Sequence, residues 1–265
     1  MDLGLQGKRA LVTGASRGLG FATAKLLAQE GCSVAINSRN YGALEDAASA
    51  IREACNNRVA VIPVSGDLAD PSTPKDVVNK AAAALKGLDI LVTNTGGPPA
   101  GAFADITEEQ WVDAVHLALL AHVRLVRAAL PFLEQSLTPS VLAVTSYSVK
   151  QPIPNLVLSN SIRSATANLM KSLALELGPQ NIRFNAILPG WTKTERVLEL
   201  MKSRADANQT SENDEIKKQN REIALGRMAE PEEFAHAAVF LVSPAASYIT
   251  GAMLNVDGGA YKGTW

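Results

Sequence analysis

Two serines and an arginine carry the chemistry that the middle of this sequence suggests. Ser146 ends an apolar run, Ser159 lies thirteen positions later, and Arg163 follows Ser159 by four. A spacing of four puts helical side chains on one face, so Ser159 and Arg163 are expected side by side. A serine hydroxyl can polarise a carbonyl oxygen, but neither serine nor arginine releases a proton near neutral pH. The pattern indicates carbonyl chemistry without an evident proton donor.

Three other residues are candidates for that donor. Lys150 ranks first, because a lysine pKa falls beside a positive charge such as that of Arg163. Tyr147, which adjoins Ser146, ranks second, and His122 ranks third. Each also has a plainer interpretation, which is the stronger one: a solvated charge for Lys150, loop packing for Tyr147 and a satisfied helix residue for His122.

A glycine-rich stretch at residues 13–20 follows an apolar run and opens a helix-like run. Glycines let the chain turn tightly, so that a pyrophosphate rests against the helix N-terminus, where unpaired N–H groups and the dipole favour anions. The stretch predicts a dinucleotide site, with a simple tight turn as the alternative. Its candidate contacts are Gly14, Ser16, Arg17, Gly18, Leu19 and Gly20.

The end of the second apolar run predicts which dinucleotide binds. NAD enzymes place a carboxylate there for the adenine ribose, but this segment has Ser38 and Arg39 and no acid. Arg39 and Arg17 are expected to clamp the 2′-phosphate of NADP(H), and one charge-assisted hydrogen bond of about 1.5–3 kcal/mol gives about a 10- to 100-fold preference. If both are ordinary surface arginines, NAD(H) binds as well.

The elements that must position these residues alternate along the chain, which predicts a parallel sheet with helices on both faces. The predicted strands are residues 9–13, 34–36, 59–64, 90–93, 141–145, 183–188 and 253–256. The predicted helices are residues 19–29, 43–54, 75–85, 108–130, 162–177 and 232–241. A capping box at Thr107 begins the fourth helix. The polar segment 193–225 predicts a lid over a cleft or a plain surface insertion.

Composition limits the remaining possibilities. The 265 residues are 47% hydrophobic, which suits one α/β domain spanning residues 1–265. A net charge of -1 predicts no general affinity for nucleic acid or membranes. Cys32 and Cys55 lack metal-type spacing, so we expect reduced thiols in a cytoplasmic protein without a leader or a metal. The apolar window 114–133 contains two histidines and two arginines, which favours a core or interface helix. Trp265 either packs into an interface or is free.

Taken together, these motifs resemble the short-chain dehydrogenase/reductase family over nearly the whole chain. Residues 13–20 match its TGxxxGxG, residues 94–96 are similar to its NNAG, and residues 189–194 match its PGxxxT. The resemblance implies a doubly wound, seven-stranded Rossmann sheet and a homodimer or homotetramer. The C-terminal matches are Arg227 and residues 231–233, 249–251 and 257–259.

The resemblance also implies coenzyme contacts and a cleft wall. Asp67 and Leu68 stand where the family contacts adenine, and Arg163 would keep the ribose-binding role of the family's lysine. Residues 97–101 and Trp191 are expected to flank the substrate cleft. The positions matching the NNAG segment and the site that holds the nicotinamide carboxamide are Asn94, Gly96, Pro189, Gly190, Thr192 and Thr194.

The catalytic set departs from the family pattern of Asn, Ser, Tyr and Lys. Ser146 is retained, Ser159 and Arg163 occupy the Tyr and Lys positions of YxxxK, and Ala118 occupies the Asn position. A positioned general acid contributes about 100- to 10,000-fold, so carbonyl reduction is expected to be slow. Hydride transfer itself belongs to the coenzyme and is not excluded.

The resulting hypothesis is an oxidoreductase that transfers a hydride between NADP(H) and a small carbonyl/alcohol substrate, with a displaced donor or solvent supplying the proton. The alternative is a catalytically inactive NADP-binding protein, a sensor or an assembly partner. A third possibility is non-redox chemistry on a nucleotide-linked substrate.

Overall fold

The computed structural model describes residues 1–264 as one parallel seven-stranded sheet in the order β3-β2-β1-β4-β5-β6-β7. The predicted doubly wound Rossmann fold is confirmed, and Trp265 lies outside the described residues. The order reverses between β1 and β4, and open α/β sheets bind ligands at such a reversal. The strands are β1 (Arg9–Val12), β2 (Ser33–Ser38), β3 (Val61–Ser65), β4 (Ile90–Thr93), β5 (Ser140–Val144), β6 (Arg183–Pro189) and β7 (Met253–Val256).

Helices cover both faces of the sheet, and an apolar core fills each interface. Strands β4 and β5 are buried throughout, as expected of parallel strands covered on both faces. The helices are α1 (Gly18–Gln29), α2 (Tyr41–Ala54), α3 (Thr73–Leu85), α4 (Glu108–Val115), α5 (Ala121–Leu133), α6 (Val157–Leu177), α7 (Glu195–Asn208), α8 (Glu212–Arg221) and α9 (Pro231–Val242).

The predicted fourth helix is interrupted by one turn of π-helix at His116–Leu120 and extends to Leu133. The capping box of Thr107 and Gln110 at its start is present. By length and composition alone, Glu108–Leu133 is apolar enough to cross a membrane, a test that core helices of soluble proteins also pass. Here it packs against α3 and α6.

The start of one other helix differs from the sequence expectation. Helix α6 begins at Val157, five residues earlier than predicted, so Ser159 lies in its first turn and shares the helix with Arg163. The polar segment 193–225 contains two helices, α7 and α8. These helices are joined through the buried carboxylate of Glu215, which accepts hydrogen bonds from Asn208 and Thr210.

An ion pair ties the amino-terminal ends of β1 and β4 together. Asp89 accepts hydrogen bonds from the Arg9 side chain at 2.8 Å, from the Arg9 backbone N–H at 2.9 Å and from the Ser136 hydroxyl at 2.6 Å. Burial raises the pKa of the Asp89 carboxyl, but these donors lower it more, so its pKa lies below the ordinary value. The pair anchors the sheet at the edge opposite the carboxyl ends of the strands.

Candidate active site

The glycine-rich turn is fixed to the end of β4 by Asn94. The Thr13 hydroxyl donates to the Asn94 carbonyl at 2.8 Å and accepts from the Asn94 N–H at 2.9 Å. The Asn94 side chain donates to the Gly14 carbonyl at 3.1 Å. A Cβ on Gly20 would lie 2.3 Å from the Gly14 carbonyl oxygen, so that position admits only glycine without a backbone shift.

The glycine-rich turn places the open N-terminus of α1 at the crevice between β1 and β4. Arg17 precedes the first residue of α1, yet its side chain makes no capping hydrogen bond. The first N–H groups of α1 therefore keep their donor capacity toward the crevice, the arrangement that binds phosphate. Ser16 is half-buried beside them, and Gly18 has a positive φ of 59° that favours glycine.

The ends of β2 and β3 border the crevice on the side where the sequence predicts the adenine. The Asn37 amide donates to the carbonyls of Val64 and Gly66, which holds these two strand ends together. Beyond them, the Arg39 guanidinium lies 3.8 Å from the Asp67 carboxylate, and both side chains are exposed. Ser38 is half-buried, and Leu68 is buried in the core below Asp67.

The sequence predicts that Arg17 and Arg39 together bind a 2′-phosphate, and the structure gives Arg17 a carboxylate partner. Its guanidinium forms an ion pair with Glu195, in the first turn of α7. Close by, Gly18 approaches the methyl group of Thr194, which caps α7 by accepting from the Val197 N–H. Arg39 therefore lies beyond the ends of β2 and β3, whereas Arg17 contacts the segment that follows β6.

The end of β6 is packed against the C-terminal segment. The Gly190 N–H donates to the Val256 carbonyl at 2.9 Å, and a Cβ on Gly190 would lie 2.6 Å from the Asp257 Cα. Pro189 ends the strand, and Thr192 is buried with a hydroxyl that has no partner among the described residues. An unpartnered buried hydroxyl is consistent with a ligand group at this position.

Ser146 follows β5 with its hydroxyl partly accessible. Its Oγ accepts from the Ser148 N–H at 3.1 Å, so the hydroxyl proton remains available to a second acceptor. Ser159 is half-buried on α6, and among residues 1–264 its hydroxyl has no hydrogen-bond partner. The π-helical turn places Ala118 near α6, where the Thr166 hydroxyl donates to the Ala118 carbonyl.

Arg163 is buried, and its guanidinium contacts backbone carbonyls rather than a carboxylate. It is 8% exposed and donates to the carbonyls of Val144 at 3.2 Å, Thr145 at 3.3 Å and Gly96 at 3.4 Å. Burial, and second the positive charge of Arg196, lowers its pKa to about 10. The arginine thus joins the end of β5 to the loop after β4, immediately beside Ser146.

His122 behaves as a buried structural residue. Its ring lies 2.7 Å from the Thr93 hydroxyl and 3.5 Å from the Thr95 hydroxyl. Burial, with the nearby charge of Arg163, lowers the pKa of His122 to about 3. The imidazole is therefore neutral at pH 7 and carries no proton suited to general acid catalysis, as the plainer interpretation of the sequence expected.

Tyr147 points away from solvent into the apolar wall beneath α7. Its phenol oxygen accepts from the Trp191 indole N–H at 3.0 Å, and Arg204 stacks 5.0 Å from the Trp191 ring. Burial raises the pKa of Tyr147, even though the Trp191 hydrogen bond opposes that shift. Both rings belong to the same buried cluster, so they form a stiff wall between β5 and the segment after β6.

Lys150 contacts the C-terminal segment. Its ammonium donates to the Met253 carbonyl at 3.5 Å and lies 5.5 Å from the centre of the Tyr261 ring. Those contacts hold the ammonium near β7, whereas the sequence hypothesis needed it beside Arg163. Its role as proton donor stays a prediction without a supporting contact.

Comparison with known proteins identifies the family. A family model described as enoyl-(acyl carrier protein) reductase matches residues 14–261. The L-rhamnose 1-dehydrogenase (NAD(P)(+)) of Sphingomonas sp. (strain SKA58) is 36% identical over 264 residues, 97% of this chain and 97% of that protein. The chain belongs to the short-chain dehydrogenase/reductase family. It is accordingly an oxidoreductase of that family.

Solved structures of the family match the fold closely. L-sorbose reductase from Gluconobacter frateurii, complexed with NADPH and L-sorbose, has a TM-score of 0.94 and 31% identity, covering 99% of this chain and 100% of that chain. An NADPH-bound short chain oxidoreductase from Pseudomonas aeruginosa PAO1 containing an atypical catalytic center has a TM-score of 0.88 and 31% identity. It covers 97% of this chain and 98% of that chain.

The structure brings some of the predicted residues together and adds others. Arg163 contacts the carbonyls of the two residues that precede Ser146 and the carbonyl of Gly96. Lys150 and Tyr147 contact other segments, near β7 and after β6. Sequence reasoning missed Glu195 and Arg196, whose adjacent opposite charges at the start of the polar segment were the available signal. Among residues 1–264, no group of three or more His, Cys, Asp or Glu side chains is arranged to hold a metal ion.

Proposed function

We propose that this oxidoreductase transfers a hydride between NADP(H) and a small carbonyl/alcohol substrate, and that Ser146 polarises the carbonyl. The coenzyme assignment depends on one arrangement. The N-terminus of α1 is open, and on the proposed adenine side of the crevice the end of β2 has Arg39 and no acidic residue. The residues fit the coenzyme: the uncapped N-terminus of α1 can accept a pyrophosphate, and Thr192 has a buried hydroxyl without a partner among residues 1–264. When bound, NADPH supplies the hydride.

Ser146 is suited to donate to the substrate oxygen. The Ser148 N–H occupies one of its lone pairs, which turns its proton toward another acceptor. A hydrogen bond aimed at a developing oxyanion stabilises the transition state. Arg163 adds a fixed positive charge beside the same strand end, because its guanidinium is held by the Val144 and Thr145 carbonyls.

We infer that solvent supplies the proton to the substrate oxygen. Ser159 has the position on α6 but no suitable pKa, Tyr147 is engaged by Trp191, and Lys150 is held near β7. Water replaces the positioned acid at a cost of about 100- to 10,000-fold in rate. A slow reductase, rather than an inactive NADP-binding sensor or assembly partner, fits the retained serine best.

Three further proposals concern the segment 193–225, the oligomeric state and the cellular location of the protein. Residues 193–225, as α7 and α8, act as a lid, because Arg17 and Glu195 connect the first helix of this segment to the glycine turn. The chain forms a homo-oligomer, and exposed apolar side chains such as Val112 on α4 and Leu175 on α6 are available to its interface. We place it in the cytoplasm, without nucleic-acid or membrane partners, in keeping with its free buried cysteines and net charge of -1.

The test is NADPH oxidation across a panel of ketones, aldehydes and acyl thioesters, run on the parent and on a Ser159→Tyr/Arg163→Lys double variant. Turnover by the parent, increased 100-fold or more in the double variant, is the expected result. Turnover only in the double variant would favour the inactive binding protein. Light scattering of the purified chain measures its oligomeric state in the same preparation.

A further inference from the structure

Two guanidinium groups meet on one short loop of the cleft. Arg163 donates to the Gly96 carbonyl at 3.4 Å, and Arg196, from the first turn of α7, donates to the Pro98 carbonyl at 3.1 Å. Between them, a Cβ placed on Gly97 would lie 2.3 Å from the Arg196 Nη2. The second guanidinium therefore lies flat on Gly97, the residue that separates the two carbonyls.

Neither arginine has a carboxylate partner among residues 1–264. Arg163 is buried with carbonyl partners alone, and it shows no ion pair within 4.0 Å. Glu199 is close enough to influence Arg196 electrostatically, yet the two side chains form no ion pair. Glu195, the other acid of that turn, is bound to Arg17. Among residues 1–264, neither guanidinium therefore forms an ion pair, although Arg196 is exposed and Glu199 acts on it electrostatically.

Both groups also retain unused donors. A guanidinium has five N–H donors. Arg163 uses three donors on three carbonyls, so two of its donors remain. Arg196 uses one donor on one carbonyl, so four of its donors remain. The proximity of like charges is unfavourable without an anion, and after burial it is the second cause of the lowered pKa of Arg163. A planar carboxylate is the ligand whose geometry a guanidinium fork matches.

We propose that Arg163 and Arg196 form a carboxylate-binding subsite, so that the substrate is an oxo acid. The proposal rests on the proposed reductase function and narrows its substrate class. Since Arg163 contacts the two carbonyls that precede Ser146, the carboxylate and the reacting carbonyl must be near neighbours, as in 2-oxo and 3-oxo acids. The oxo carbon receives the hydride, its oxygen receives one proton from water, and a hydroxy acid and the oxidised coenzyme are the products.

The kinetic test compares 2-oxo and 3-oxo acids with their methyl esters and with the neutral sugar L-sorbose, in the parent, Arg196→Gln and Arg221→Gln. Arg221 is the matched control, an exposed arginine on α8. We expect kcat/KM for the acids to exceed that for the esters by about 10- to 100-fold, the effect of one charge-assisted contact. Arg196→Gln should abolish that difference and leave the ester values and the NADPH affinity unchanged. Arg221→Gln should leave the difference intact.

A binding test separates this proposal from the reductase function. Oxamate, an unreactive carboxylate, and ethyl oxamate are titrated calorimetrically into the parent and into Arg196→Gln. Oxamate binding that is lost in Arg196→Gln supports the subsite even if no substrate turns over, in which case only the reductase proposal fails. Equal binding of oxamate and its ester overturns the subsite. An Arg196→Gln variant that loses NADPH affinity instead overturns it too, because the pair would then serve the coenzyme pyrophosphate.

Discussion

The Arg163 guanidinium donates a hydrogen bond to the Gly96 carbonyl, 3.4 Å away, and so links α6 to the loop after β4. By resemblance the family has a lysine at this helix position, which binds coenzyme ribose. The planar fork reaches backbone carbonyls on two strand ends at once, which a single ammonium does less well. Arg163 therefore places a fixed positive charge next to the strand end that precedes Ser146, whereas Ser159 stands where the family's tyrosine supplies the acid.

Replacing Ser146 by alanine tests the role of its hydroxyl. We expect kcat/KM for carbonyl reduction to fall about 100- to 1,000-fold, the usual loss of one oxyanion donor. NADPH affinity, measured by fluorescence titration, should stay the same. Ser159→Ala is the control, because the Ser159 hydroxyl has no hydrogen-bond partner among residues 1–264 and its removal should change the rate little. A Ser146→Ala enzyme as fast as the parent would show that the substrate oxygen lies elsewhere.

Arg39 should determine coenzyme preference. Its side chain is 78% exposed and its nearest carboxylate, Asp67, is 3.8 Å away, so it is available to a 2′-phosphate. Arg39→Ala is expected to weaken NADPH binding about 10- to 100-fold and to leave NADH binding unchanged. Arg127→Ala, another exposed arginine, serves as the control. Equal affinity of the parent for NADH and NADPH would refute the assignment.

Tyr147→Phe distinguishes a wall residue from a proton donor. Removing the phenol oxygen leaves the buried Trp191 N–H without its acceptor, which should cost about 1–3 kcal/mol of unfolding free energy. Chemical denaturation measures that loss. Turnover, and its dependence on pH, should be unchanged at temperatures where the variant is folded. A stable Tyr147→Phe protein that has lost turnover would instead make Tyr147 the acid.

Asp89 should make stability depend on acid pH. Its folded-state pKa lies below the ordinary value, so its ionised form stabilises the fold above about pH 4, the unfolded pKa, and this contribution is lost as pH falls through the lower folded value. Asp89→Asn should lower the unfolding free energy at pH 7 by about 1–3 kcal/mol and flatten the loss between pH 5 and 3. Unchanged melting curves from pH 3 to 7 in both proteins would argue against the ion pair.

The sheet was predictable because most strands are apolar runs, of which β4 and β5 are buried throughout, and because local signals such as the Thr107 capping box mark helix starts. The π-helical turn at His116–Leu120 was not, since its local sequence is simply apolar, and Thr166 from α6 contacts its Ala118 carbonyl. Likewise, the sequence places Lys150 four residues past Ser146, but Tyr261 and Met253, more than 100 residues away, determine where its ammonium lies.

The candidate site likewise contains features that follow from the local sequence and features that depend on the tertiary fold. Backbone features such as the glycine turn follow from residue type, because only glycine tolerates the 2.3 Å approach at Gly20. Side-chain pairings such as Arg17 with Glu195 need the tertiary path of α7, which no local pattern specifies. Coenzyme and catalytic assignments of individual residues accordingly remain predictions that mutagenesis must test.

Deuterium transfer shows whether a hydride passes from NADPH to the carbonyl carbon of the substrate. The parent protein is incubated with 4-deuterated NADPH of each stereochemistry and the best carbonyl substrate, and the alcohol is analysed by mass spectrometry. We expect one deuterium on the carbinol carbon from one of the two coenzymes, and an about 100- to 1,000-fold slower formation of the deuterated alcohol in Ser146→Ala. Alcohol that forms without deuterium from either coenzyme, or no alcohol despite saturating NADPH, would contradict this expectation.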